Sequence, residues 1–379
     1  MSAAPSDPRR PAPIPVTVLT GFLGAGKTTL LNRLLRDPTL ARTAVLINEF
    51  GEIGLDHLFV EKIDGDMVMM SSGCLCCTLR GDLIDALENL LRRLDNGRIQ
   101  PFDRLVIETT GLADPAPILH TFMSHPYFLL RFRLDGVVTV VDAINGALTL
   151  DQRSEAQRQA AMADRLVVTK ADLIGSDDEK RELGRLRERL DEINPTALRL
   201  DNPEHFGADH LLGVGLYDAT TKTPDVARWL NVEAFGGTPS SHGHHHAHDV
   251  NRHGESIRAF VLTSDKALTP SACDLFLQIL RSAHGPNLLR VKGIVALADD
   301  PMRPLVIHGV QHIFHPPVRL SSWPDDDHRS RIVFIISDLS PRFIQGLYDA
   351  FAGDVGVDRP DAMALTDSPL ATSRGGLLA

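Results

Sequence analysis

The chain has 379 residues, enough for two domains that each bury their own core. Its 43% hydrophobic and 23% charged content is that of an ordinary globular protein, and a net charge of −10 with no basic stripe argues against a nucleic-acid scaffold. No apolar run reaches membrane-spanning length, and four cysteines, three of them within Cys74–Cys77, do not form a disulfide framework.

Residues 1–14 are rich in Pro, Ala and Ser, with Arg9 and Arg10, and lack the apolar centre of a secretory signal. They read as a disordered arm, which leaves the cytoplasm as the default location. Ile14–Thr20 reads as a short buried strand. Gly21-Phe22-Leu23-Gly24-Ala25-Gly26-Lys27-Thr28-Thr29 follows and fits the phosphate-loop pattern G-x-x-x-x-G-K-[ST]. Leu30, Leu31, Leu34 and Leu35 then recur at helical spacing. This order of strand, glycine loop and helix is what phosphate binding needs, because glycines let backbone N–H groups converge on a phosphate at a helix N-terminus. Gly21, Gly24, Ala25, Gly26, Lys27, Thr28 and Thr29 are therefore expected to bind a nucleoside triphosphate. Lys27 would reach the β- and γ-phosphates, and the Thr28 hydroxyl would ligate Mg2+.

Further along, strands are expected at Ala44–Asn48, Arg104–Glu108, Asp135–Asp142 and Arg165–Thr169, and a hairpin at Phe59–Met70 turned at Asp64-Gly65. Helices are expected at Leu79–Leu94, Pro115–Met123, Ser154–Ala163 and Asp177–Asp191. The alternation predicts an α/β fold, a mostly parallel sheet covered by helices, over residues 15–230. Residues 231–255, with Gly236-Gly237, Pro239 and a histidine cluster, read as a linker. Residues 256–353 read as a small α+β domain. Its strands are expected near Ser256–Leu262, Leu289–Ala296, Leu305–Gln311 and Arg331–Ile336, with helices at Pro270–Ser282 and Pro341–Phe351. Residues 354–379 form a loose tail.

Glu108 ends a buried strand and is followed by Thr109-Thr110-Gly111-Leu112-Ala113-Asp114. An acid there can hold the magnesium shell, and Gly111 can present its N–H to a γ-phosphate, as nucleotide switches do. Thr169-Lys170-Ala171-Asp172 resembles the guanine-reading Asn-Lys-x-Asp of GTPases, with Thr169 in place of the usual asparagine. The Asp172 carboxylate would accept from the guanine edge, and the Lys170 stem would cover the base. A hydroxyl at residue 169 replaces one amide hydrogen bond but not two. Asn48-Glu49-Phe50-Gly51-Glu52-Ile53-Gly54-Leu55-Asp56 is polar and glycine-spaced, in the place of a switch loop. Its Glu49 and Asp56 are candidates to meet magnesium, the attacking water or a second metal.

Cys74, Cys76 and Cys77 precede a helix, whose N-terminus favours thiolates. Three soft donors plus one exchangeable ligand suit an open tetrahedral Zn2+ site. The plainer alternative is three small apolar residues at a turn. The linker cluster, including His244 and His246, suits weak collection of Zn2+, nickel or Co2+. His308 and His312 would share a strand face as ordinary structural histidines, and Trp323 reads as a core or docking anchor.

Together these motifs resemble the CobW family of metal-handling GTPases, relatives of the urease and hydrogenase nickel chaperones. The resemblance rests on residues 21–29, 48–52, 73–77, 108–115 and 169–172, with support from Arg290-Val291-Lys292-Gly293 and Ser330–Phe334 in the C-terminal part. It implies a P-loop GTPase domain with a CobW-type C-terminal domain. It also implies GTP hydrolysis coupled to delivery of a transition metal, most often zinc, to a client metalloprotein docked on either domain. Lys27, Glu49 and Glu108 are the catalytic candidates. The molecule would act as a monomer or as a nucleotide- or metal-dependent dimer. Some members of the family serve cobalt handling for cobalamin synthesis, and others activate nitrile hydratases. Two readings from other classes fit part of the pattern. A P-loop small-molecule kinase leaves the cysteines unexplained, and a passive metal store leaves the nucleotide site idle.

Overall fold

The computed structural model describes residues 12–49, 60–63, 67–73, 80–212 and 257–353. The first part builds one eight-stranded sheet. Its strands are β1 (Ile14–Gly21), β2 (Thr43–Glu49), β3 (Val60–Ile63), β4 (Met67–Gly73), β5 (Arg104–Glu108), β6 (Phe132–Asp142), β7 (Arg165–Thr169) and β8 (Leu198–Asp201), in the order β3-β4-β2-β5-β1-β6-β7-β8. Every neighbouring pair is parallel except β3 with β4. This is the fold of a P-loop NTPase.

Strand side chains alternate between two cores, as the two-residue repeat of a doubly covered sheet requires. Val45, Val106, Val138, Val140 and Val167 pack with α1 (Lys27–Leu34) and α8 (Ala208–Leu212) on one face. Ala44, Leu46, Leu105, Ile107, Val137, Val141, Leu166 and Val168 pack on the other. That second face carries α2 (Arg80–Asp95), α3 (Ala116–Ser124), α6 (Ser154–Ala161) and α7 (Asp177–Ile193). The α7 start is fixed by a capping box, in which Ser176 accepts from Glu179 N and the Glu179 carboxylate accepts from Ser176 N. The short helices α4 (Pro126–Arg131) and α5 (Gly146–Gln152) complete the layer.

The C-terminal part is an antiparallel sheet. It contains β9 (Ile257–Ser264), β10 (Leu288–Val295), β11 (Leu305–Val310), β12 (Ile313–Phe314), β13 (Val318–Arg319) and β14 (Ser330–Ser337). Helices α9 (Pro270–His284) and α10 (Pro341–Phe351) bury Phe276, Leu280, Ile344 and Tyr348 against one side. Its other side meets the first sheet's helices, and Ile257, Leu289, Val310 and Ile335 join that core. Charge is buried in this contact. Asp164 engages both Arg290 and Lys292, and all three side chains are at least nine-tenths buried. Among the described residues no helix is long and apolar enough to cross a membrane.

The expected pairing of His308 with His312 on one strand face is corrected. Gln311 takes a left-handed conformation (φ 52°) and ends β11, so His312 leaves the strand. The ring of His312 meets His120 of α3 edge-on at 4.6 Å, and His308 instead stacks on His315 at 5.4 Å. Trp323 is buried, and its indole N–H donates to Pro301 O at 2.7 Å.

Candidate functional site

Parallel strands end together, so the motifs that follow them are collected on one edge. Gly21, Glu49, Gly73, Glu108, Asp142 and Thr169 all close their strands there. Ligands of doubly wound sheets bind outside such a carboxyl edge.

The phosphate loop leaves β1 at Gly21 and enters α1 at Gly26. Gly26 sits at φ 90° as the helix N-cap, a conformation that an L side chain resists. No side chain caps α1 and its first turn carries no acid, so its N–H groups are left for an anion. Lys27 is 8% exposed, and its Nζ donates to Gly21 O at 2.9 Å and Phe22 O at 3.2 Å. The carbonyls of its own loop thus hold the ammonium at the loop's centre.

Thr28 and Glu108 are brought together across 80 residues. The Thr28 hydroxyl donates to Glu108 Oε1 at 2.7 Å, and Glu108 is 4% exposed. Two hard oxygen donors on one spot fit Mg2+, which prefers few protein carboxylates and otherwise water and phosphate. Gly111 rests directly on the phosphate loop. A Cβ there would fall 2.6 Å from Leu23 N and 2.7 Å from Leu23 Cα. The same loop is tied to β1 by Thr109 N on Leu19 O at 2.9 Å and Thr109 Oγ1 on Thr20 Oγ1 at 2.8 Å.

The Thr169 hydroxyl faces two carbonyls, Ala25 O of the phosphate loop at 2.7 Å and Val141 O of β6 at 3.2 Å, and so ties β7 to the loop. Lys170 stands in a left-handed turn (φ 61°), and its Nζ donates to Asp142 Oδ2 at 2.8 Å. Burial opposes the charge of Asp142, but the hydrogen bonds from Lys170, Asn145 and Ile144 N outweigh it and hold the carboxyl below its ordinary range. Asp172 is exposed in the turn that follows. A cavity of about 270 Å³ opens between the loop Phe22–Ala25, the end of β6, Asn145 and Lys170. Sequence reasoning missed Asp142, although an acid closing the run Val137–Val141 beside Thr169 was a readable signal.

Other expected positions lie outside the described residues: Cys74, Cys76, Cys77, His244, His246 and the side chain of Glu49. The backbone of Glu49 pairs with Gly73, the residue before Cys74, and Ile47 pairs with Glu108. Among the described residues no group of three or more His, Cys, Asp or Glu is placed to hold a metal.

A glycine loop capping a helix, a hydroxyl–carboxylate pair beneath it and the Lys170–Asp172 turn two strands away on the same edge define a P-loop nucleotide-binding protein. The family described as CobW/HypB/UreG, nucleotide-binding domain, matches residues 15–200, and the cobalamin synthesis protein cobW C-terminal domain matches residues 257–352. The chain belongs to the CobW/HypB/UreG family. It is similar to the zinc chaperone YjiA of Escherichia coli, with 35% identity over 344 residues, covering 90% of this chain and 98% of that one. It is also 41% identical over 236 residues to the zinc-regulated GTPase metalloprotein activator 1 of Schizosaccharomyces pombe, covering 60% of this chain and 51% of that protein. Among solved structures, Zn(II)-bound YjiA GTPase from E. coli superposes with a TM-score of 0.65 at 31% identity, covering 89% of this chain and 99% of that one.

Proposed function

We propose that this protein is a cytoplasmic GTPase that binds zinc and delivers it to client metalloproteins, with hydrolysis coupled to transfer. One observation carries the reading. The phosphate loop, Glu108, the base-reading turn and the residue before the cysteine triad follow or close strands β1, β5, β7 and β4 of one sheet, on a single edge. The names of the relatives supply zinc as the cargo.

Residues 21–29 cradle the phosphates, with Lys27 as the fixed charge inside the loop. Thr28 and Glu108 are the residues that would hold Mg2+, which when bound neutralises phosphate charge. Gly111 reads the γ-phosphate from its seat on Leu23. Asp172 accepts from the guanine edge. Thr169 keeps the base-reading turn and the phosphate loop as one rigid unit by holding Ala25 O. Glu49 stands at the start of the switch segment as the candidate to orient water. Cys74, Cys76 and Cys77 are the zinc ligands, and His244 and His246 collect metal weakly.

The test is a zinc titration with GDP and with a non-hydrolysable GTP analogue. Coupling free energies between linked sites are about 1–3 kcal/mol, so the two zinc affinities should differ by about fivefold or more. Equal affinities in the two nucleotide states would remove the coupling on which the reading depends.

A further inference from the structure

Helix α6 touches both the nucleotide edge and the C-terminal sheet. Near its end Gln159 is completely buried, and its Nε2 donates to Gly111 O at 3.1 Å and to Ala113 O at 2.9 Å. Arg158, one residue earlier, pairs with Asp114 at 3.4 Å. Gln159 Oε1 has no hydrogen-bond partner among the described residues, and Gln159 lines the cavity beside the phosphate loop. The loop that carries Gly111 is therefore trapped between two walls. Leu23 of the phosphate loop lies on one side and the Gln159 amide on the other. Fixing the carbonyls of Gly111 and Ala113 fixes the planar Gly111–Leu112 and Ala113–Asp114 peptides.

The C-terminal sheet holds the end of the same helix. Arg290 of β10 donates through Nη1 to the carbonyl of Met162, which caps α6, at 3.2 Å. Its Nη2 engages Asp164 two residues further on, where Lys292 also binds. Less than one turn of helix, from Gln159 to Met162, thus separates a contact with the second domain from a contact with the γ-phosphate loop.

We propose that α6 is a clasp: Gln159 positions the Gly111 loop for the γ-phosphate, and Arg290 makes that position depend on how the C-terminal sheet is seated. This rests on the GTPase reading above and gives it a means of regulation. A client that shifts the C-terminal sheet changes the response to GTP without touching the nucleotide.

The full-length chain is tested as Gln159→Met, which keeps the side chain's length and removes both donors. GDP affinity should stay within about twofold, while affinity for a non-hydrolysable GTP analogue falls about tenfold, the worth of roughly one net hydrogen bond. Arg290→Lys keeps a cation for Asp164 but removes the planar fork that reaches Met162, and it should shift the analogue affinity in the same direction. The double variant should be no worse than Gln159→Met alone, because both act through one element. A purely structural role would lower the melting temperature and weaken both nucleotides equally, and that result overturns the clasp, as does additivity of the two substitutions. Failure of the unsubstituted protein to bind either nucleotide would instead overturn the GTPase reading. Hydrogen exchange on the unsubstituted protein decides the matter if the variants do not fold. Replacing GDP by the analogue should protect the Leu112–Asp114 amides and the last turn of α6 together, and protection confined to the loop refutes the proposal.

Discussion

Asp164 gives the sharpest stability prediction. Its carboxylate is the counter-ion for two buried cations, Arg290 and Lys292, and also accepts Val137 N at 2.9 Å. Burial alone would raise its pKa, but the charges of Arg290 and Lys292 outweigh that and hold the carboxyl below its ordinary range. Asp164→Asn keeps the shape and deletes the charge. Two cations then remain inside the domain contact without an anion. Breaking a buried pair in this way costs about 3–5 kcal/mol, a large share of a typical total stability of about 5–15 kcal/mol. Urea unfolding at pH 7, followed by circular dichroism, should report that loss. Replacing Asp164, Arg290 and Lys292 together by apolar residues of similar volume should recover most of it, because the desolvation cost disappears with the charges. The pH dependence gives an internal check. A depressed carboxylate contributes its stability above its unfolded pKa of about 3.9 and loses it as pH falls through the lower folded value. The gap between the natural chain and Asp164→Asn should stay constant from pH 7 to 5 and close only below about pH 4. A loss under about 1 kcal/mol at pH 7 would show that water or side-chain rearrangement compensates the cations, and the argument from burial would fail.

Three further outcomes follow from the same contacts. His308 is held neutral well below its ordinary pKa by burial, Arg290, His315 and Lys292, and His315 is lowered to about 4 by burial and then Arg290. Their unfolded forms take up protons below about pH 6.5, so stability should fall as pH drops from about 6.5 towards 4; a melting temperature flat over that range would contradict the assignment. Gly111→Ala places a methyl group 2.6 Å from Leu23 N. It should cost about 1–3 kcal/mol by overpacking and weaken GTP-analogue binding more than GDP binding in parallel isothermal titrations. Thr169→Val removes the donor to Ala25 O. It should cost about 1 kcal/mol of stability and weaken GDP and GTP by similar factors, because the phosphate loop serves both; a selective loss of guanine over adenine nucleotide would put Thr169 back on the base.

What could be read before the structure was known is what short range determines. The glycine loop, the strand closed by Glu108 and the strand closed by Thr169 each declare themselves within ten residues. The positions of β5, β7 and α10 match the expected bounds. Helices α4, α5 and α8 and strand β8 were not anticipated, since elements of four to seven residues have too few turns or alternations to show a period. His312 misled because the two-residue alternation was carried through a left-handed Gln311 that ends the strand. The contacts that give the site its shape join residues far apart: Thr28 with Glu108, Thr169 with Ala25, Asp164 with Arg290. No local pattern encodes such pairings. They follow only once strand order is known.

Strand order also bounds how far the proposed coupling has to act. β4 ends at Gly73, just before Cys74, and is separated from β1 by β2 and β5. Three inter-strand spacings make about 14 Å from the start of the cysteine segment to the phosphate loop, and two make about 10 Å to Glu108. The shorter distance is close to the screening length of about 8–10 Å in physiological salt and the longer one is about half as long again, with screening weaker where the sheet excludes water. On the proposed reading, a charge change at the phosphate end would act on the cysteine segment without a long chain of intermediates. β2 lies between them, paired to Gly73 through Glu49 and to Glu108 through Ile47, and the candidate switch segment begins where it ends. Linkage then demands symmetry. If bound GTP analogue alters zinc affinity by some factor, zinc must alter analogue affinity by the same factor. Measuring both directions is a stricter test than either alone, because a contaminating metal site elsewhere in the chain would satisfy one titration and fail the other.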